Sequence, residues 1–113
     1  MTTSERPALV KQLSAPELRQ MLDSGQAFEL VDVRSEEERA FSRIEGSRLL
    51  DQAYHDDLLT RDRDTPIVFQ CHHGIRSQGA AEYFLQHGFR NLYNLQGGID
   101  AWSQLVDPSV PRY

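Results

Sequence analysis

The stretch FQCHHGIRSQ, residues 69–78, holds the only cysteine of this 113-residue chain, Cys71. An apolar run, Ile67-Val68-Phe69, ends just before it, and a pattern with helical spacing begins just after. A thiol there lies beside the first turn of a helix, whose N–H groups have no acceptor inside the helix. Those groups, with the helix dipole, favour an anion. Thiol pKa values fall from about 8.5 towards roughly 3.5–7.5 in such settings. Gly74 would let the backbone bend so that successive N–H groups face inward, forming a small anion-binding nest. Arg76 adds a fixed charge and a planar fork of donors. Ser77 can cap the helix or donate to the loop. The group is suited to a cysteine that attacks and then carries a charged adduct, such as a persulfide, Cys–S–S⁻. The competing reading is a small buried hydrophobe with no chemistry.

Composition narrows the remaining classes. The length suits one domain, residues 1–113, with an ordered core over about 12–106 and looser termini. An apolar share of 39% supports a core. The net charge of −5, with no lysine/arginine cluster, argues against nucleic acid or an anionic membrane as partner. No apolar run approaches membrane-spanning length. The N-terminus MTTSERPALVKQ lacks the basic-then-apolar order of a secretory signal, so the expected location is the cytoplasm. One cysteine makes neither an internal disulfide nor a cysteine-rich zinc site. The four histidines, His55, His72, His73 and His87, show no metal-ligand spacing. No metal site is expected from them.

The elements that would position Cys71 alternate. Ser14-Ala15-Pro16-Glu17 reads as a capping box opening a helix with Leu18, Met21 and Leu22 on one face. Ala27 to Val33 reads as a buried strand. Ser35 to Glu38 offers a second capping box, and a short helix runs towards Phe41. Arg48–Leu50 is a weaker strand signal, and Tyr54–Leu59 a short helix. Pro66 to Gln70 is the clearest strand. A helix follows with Ala80, Ala81, Phe84 and Leu85 on one face, then a strand over Asn91–Leu95. Gly97-Gly98 makes a turn, and Ile99, Trp102, Leu105 and Val106 line a last helix. Trp102, Phe41 and Phe69 are expected in the core. Such alternation predicts parallel strands with helices on both faces. Ligands bind such sheets outside the carboxyl ends of the strands, which is where Cys71 falls.

With these residues in view, the chain resembles the rhodanese family of sulfurtransferases over nearly its whole length. The matching pieces stand in the family's order. They are Leu30-Val31-Asp32-Val33-Arg34 with the acidic residues and Phe41 after it, and Arg43-Ile44-Glu45-Gly46-Ser47. Next come Ile67 to Cys71 with Gly74, Arg76 and Ser77, and last Gly88-Phe89 and Leu95 to Trp102. The resemblance implies an α/β, three-layer domain with a central parallel five-stranded sheet. It implies transfer of a sulfane sulfur from thiosulfate or a persulfide donor to cyanide or a thiol, with no cofactor. Cys71 would be the nucleophile, and His72, His73, Gly74, Ile75, Arg76 and Ser77 would bind the donor. Asp32 would accept N–H bonds from the loop and Arg34 would pair with Glu38, both as supports. A separate sulfur-relay protein is a further expected partner. Arg43 and Glu45-Gly46 depart from the family's usual His-Ile-Pro-Gly segment, which is expected to be structural.

Two other classes stay open. One is a phosphatase or arsenate reductase: some related phosphatases share this fold and use a Cys–Arg loop with five intervening residues, usually with histidine before the cysteine; here four separate Cys71 from Arg76, and Gln70 precedes the cysteine. A shorter loop leaves room for one sulfur rather than a tetrahedral phosphoryl group. The other class is a non-catalytic binding or sulfur-relay module. His72 and His73, when protonated, would help attract a dianion such as thiosulfate; alternatively only their backbone N–H groups matter.

Overall fold

A computed structural model describes residues 9–113. The capping signals act as expected. Ser14 Oγ accepts the Glu17 N–H at 3.2 Å, and Glu17 returns the bond to the Ser14 N–H at 2.8 Å. This box opens α1 (Ala15–Asp23). Ser35 and Glu38 form the same reciprocal pair, at 3.2 and 3.1 Å, and open α2 (Glu36–Phe41). Asp51 caps α3 (Gln52–Leu58) through the Tyr54 N–H. The two longer apolar runs form β2 (Glu29–Asp32) and β4 (Ile67–Gln70). Between them in sequence lies a two-residue strand, β3 (Arg48–Leu49). After β4 come α4 (Ile75–Gln86), β5 (Leu92–Leu95) and α5 (Gly98–Leu105). One strand had no sequence signal. This is β1 (Lys11–Leu13), which exists because it pairs with the edge of β5.

The five strands form one parallel sheet in the order β1-β5-β4-β2-β3. Side chains alternate across it. Leu30, Val68 and Leu95 point to the layer built by α1 and α5, where they meet Leu18, Ile99 and Trp102. Val31, Ile67, Phe69 and Leu92 point to the layer of α3 and α4, against Tyr54, Leu58, Ala81 and Phe84. Fully burying one such side chain contributes about 1.5–3 kcal/mol. Both faces of the sheet are therefore covered, as its apolar strands require.

One expected core residue lies outside it. Phe41 is 57% exposed and packs against the Tyr113 ring in an edge-to-face pair, because α2 is six residues long and rides at the sheet's carboxyl end rather than on a face. Leu105 is also exposed, at the last turn of α5 beyond the sheet. Trp102 and Phe69 are buried as expected. No helix among the described residues is long and apolar enough to cross a membrane.

Candidate active site

β4 delivers Cys71 at the carboxyl edge of the sheet, and the chain turns through residues 71–74 into α4. Gly74 is the N-cap of that helix, with φ +102 and ψ −1. L-residues rarely take that conformation. It turns the following N–H groups back onto the cysteine. The Gly74 N–H donates to Cys71 Sγ at 3.1 Å, the Ser77 N–H at 3.4 Å, and the Ser77 hydroxyl lies at 3.2 Å. Cys71 is 1% exposed, yet its sulfur faces polar hydrogens rather than the core. Burial pushes the thiol pKa up and is the largest single effect. The Ser77 hydroxyl and the N–H groups of Ser77, Gly74 and His73 together outweigh it, so the thiol sits below its ordinary value. The small-hydrophobe reading does not fit this geometry.

α5 holds the loop from its other side. The N–H groups of Ile99 and Asp100 donate to the carbonyls of Cys71 and His72 at 2.8 and 3.1 Å. That approach needs Gly98, at φ +62, because a Cβ there would collide with the Cys71 and His72 backbones. Gly98 thus serves the close approach to the loop as well as the turn.

The remaining expected residues are distributed as follows. Ile75 is 83% exposed on the rim of the loop. Arg76 does not point at the sulfur. Its guanidinium makes two bonds to the Glu38 carboxylate, at 2.8 and 3.0 Å. Each ion shifts the other: Arg76 holds the Glu38 carboxyl well below the usual carboxylate range against the opposing effect of burial, and Glu38 raises the arginine. The expected Arg34–Glu38 pair is therefore not formed, since Arg76 takes that carboxylate. Arg34 instead binds both oxygens of Asp32 at 2.9 Å and reaches Glu38 only through its carbonyl, at 3.4 Å. Asp32 accepts no bond from the active loop either. Its oxygens are filled by Arg34 and by Arg39 at 3.0 Å, and the loop's N–H groups turn to the sulfur. This buried Asp32–Arg34–Arg39 cluster ties β2 to α2 and, through Arg39, to Ser47. In the segment with the departures, Ile44 is buried in the core and Ser47 is held by Arg39, while Arg43, Glu45 and Gly46 are exposed.

Two residues had no sequence signal for a place here. Asn94, in β5, accepts the Ser77 hydroxyl at 2.6 Å and donates to the Gly74 carbonyl at 3.1 Å. A lone asparagine in Leu92-Tyr93-Asn94-Leu95 reads as an ordinary polar strand position. Tyr113 returns from the far end of the chain and stacks on His72 with ring centroids 3.8 Å apart. Its hydroxyl bridges Arg34 at 3.0 Å and Glu38 at 2.7 Å. His73 stacks on the other side of His72, at 3.9 Å. His72, His73 and Asp100 bring three metal-capable atoms within 4.8 Å of one another. The Asp100 carboxylate already accepts from Arg112 and Gln104, each at 2.8 Å. A groove of about 410 Å³ between α2 and residues 107–111 includes no residue of the loop.

The arrangement can hold a thiolate, present it beside a rim of Ile75, His73 and Tyr113, and accept charge on an added atom. Comparison with known proteins agrees with it. The family model described as the rhodanese-like domain matches residues 14–105. The chain is 41% identical over 90 residues to the thiosulfate sulfurtransferase GlpE of Pseudomonas aeruginosa, covering 78% of this chain and 80% of that one. It is 31% identical over 103 residues to the GlpE of Pseudoalteromonas translucida, covering 90% and 97%. The crystal structure of a rhodanese-like domain protein from Staphylococcus aureus superposes with a TM-score of 0.73 at 27% identity, over 92% of this chain and 99% of that one. Sheet, loop and sequence together establish that this chain belongs to the rhodanese-like domain family.

Proposed function

We propose that this protein is a sulfurtransferase that moves a sulfane sulfur from thiosulfate to a thiophilic acceptor through a persulfide on Cys71. The observation that carries the reading is the ring of donors on Cys71 Sγ, from Gly74, Ser77 and the Ser77 hydroxyl. The name of the Pseudomonas relatives supports the choice of thiosulfate. The Cys71 thiolate attacks the outer sulfur of thiosulfate. The S–S bond of the donor breaks, its electron pair leaves with sulfite, and Cys71–S–S⁻ forms. The carbon of cyanide, or the sulfur of a thiolate acceptor, then attacks the outer sulfur, and Cys71 leaves as thiolate. The negative charge on the outer sulfur moves into the N–H groups of Ile75 and Arg76, which at the first two helical positions have no acceptor inside α4. The loop's N–H groups and the rings of His72 and His73 line the mouth for the incoming dianion, while the Arg76 guanidinium is held by Glu38. The reaction belongs in the cytoplasm, where reducing conditions keep a lone thiol free.

Mass spectrometry after thiosulfate treatment tests the reading. The expected result is a gain of one sulfur on Cys71, discharged by cyanide as thiocyanate and absent in Cys71→Ser. Release of phosphate from an aryl phosphate without that gain would favour the phosphatase instead. Neither reaction would leave a non-catalytic module.

A further inference from the structure

The carboxamide of Asn94 stands behind the active loop, nearly buried, on the face of the sheet that α4 covers. Its Nδ2 donates to the Gly74 carbonyl and to Gln12 Oε1, both at 3.1 Å. The Gly74 carbonyl can only accept, which settles which end of the amide is which. Oδ1 therefore faces Ser77, whose hydroxyl lies 2.6 Å away. The same hydroxyl is 3.2 Å from Cys71 Sγ. A serine hydroxyl has one proton, so the two acceptors compete for it.

The position of the charge decides the competition. A thiolate is a charged acceptor, and bonds to charged acceptors are roughly twice as strong as neutral ones. The proton then turns to sulfur. In the neutral thiol, S–H donates to Ser77 Oγ and the hydroxyl donates to Asn94. In a persulfide the charge sits on the outer sulfur, Sγ becomes a neutral, weak acceptor, and the hydroxyl turns to Asn94 again.

We propose that Asn94 is a positioning residue for Cys71: it anchors the loop through the Gly74 carbonyl and receives the Ser77 hydroxyl whenever the charge leaves Sγ. It acts through Ser77 and touches no substrate. The competition for the proton concerns the free thiol alone; the return of the hydroxyl during transfer rests on the persulfide reading. Charged and titratable groups on the surrounding elements are Arg76 on α4, His72 and His73 in the loop, Asp100 on α5, Glu38 and Arg39 on α2, and Asp32 with Arg34 at the end of β2. Changes at positions 94 and 77 leave all of these in place.

A double-mutant cycle on the Cys71 pKa, read from the pH dependence of iodoacetamide alkylation, tests the first half without any sulfur transfer. Asn94→Leu removes the competing acceptor and loosens the loop. In the Ser77→Ala background only the loosening remains. The Asn94→Leu shift is expected to be more downward with Ser77 present than without it, by about half a pKa unit, roughly 3-fold in the ionisation constant. Equal shifts in the two backgrounds overturn the competition. Asn94→Ala, which forces no apolar side chain onto the Gly74 carbonyl, serves if the leucine variant does not fold. For the second half, the persulfide yield at fixed thiosulfate and sulfite is read by mass spectrometry. Asn94→Ala is expected to lower it about 3-fold more with Ser77 present than in Ser77→Ala, where only the loosening acts, the same free-energy coupling seen from the other state. An equal drop in both backgrounds overturns that half. Absence of any persulfide on the unaltered protein overturns the proposed function, while the alkylation cycle still decides the role of Asn94.

Discussion

Substituting Gly74 by alanine tests the donor ring most directly, because the backbone must give way in one of two measurable manners. Gly74 has φ +102, well beyond the left-handed helical region that L-residues occasionally visit. Holding alanine there costs about 1–3 kcal/mol, towards the upper end for so large an angle. An added Cβ would also sit 3.3 Å from the Leu95 carbonyl oxygen, a backbone atom with little freedom to move. If the loop keeps its shape, the protein loses about 2 kcal/mol or more, which for a domain of this size lowers Tm by roughly 8 °C. If instead the peptide rotates to relieve the strain, the Gly74 N–H leaves Sγ, where it now lies at 3.1 Å. A hydrogen bond to a charged group is worth about 1.5–3 kcal/mol, which raises the thiol pKa by about 1–2 units at 1.36 kcal/mol per unit. Thermal melts followed by circular dichroism read the first route, and alkylation rate against pH reads the second. Part of the strain can appear in each, but the two together must account for it. Gly74→Ala with an unchanged Tm and an unchanged thiol pKa would refute the claim that this glycine shapes the ring.

Three further outcomes follow from the same geometry. Gly98→Ala forces a Cβ against the Cys71 and His72 backbones and should cost at least about 2 kcal/mol; a variant as stable as the parent in urea would show that α5 does not brace the loop. Glu38→Gln should destabilise by up to about 1 kcal/mol near neutral pH, because the pair with Arg76 is partly exposed. The folded-state pKa of Glu38 is depressed, so its contribution is present above the unfolded value of about 4.3 and is lost as pH falls below it. The stability gap between variant and parent should therefore close on acidification, and a gap that stays constant down to acid pH would contradict the pairing. Tyr113→Ala removes the ring stacked on His72 and the bridge between Arg34 and Glu38. Alkylation of Cys71, corrected for its ionised fraction, should then speed up, and an unchanged rate would mean the tyrosine does not shield the mouth.

Much of this site is written locally in the chain. The order of β4, Cys71, Gly74 and α4 follows from an apolar run, a glycine and a helical pattern in succession, and all three act over neighbouring residues. The two capping boxes are equally local, since Ser14 with Glu17 and Ser35 with Glu38 bond across three residues. The sheet with helices on both faces follows from the alternation of such segments. Tertiary structure decided what distant side chains do with one another. Arg76 was legible as a charge beside the thiol, yet a carboxylate 38 positions away turns it outward. Arg34 and Asp32 were legible as supports, but their partners depended on where α2 came to rest. Phe41 looked like core until that short helix proved to lie at the sheet's end. Asn94 and Tyr113 carried no signal at all, because an asparagine in a strand and a tyrosine in a tail gain meaning only from what folding brings within 3 Å of them. Backbone conformation answers to near neighbours in sequence, whereas the choice among competing hydrogen-bond partners answers to distances that only the assembled fold defines.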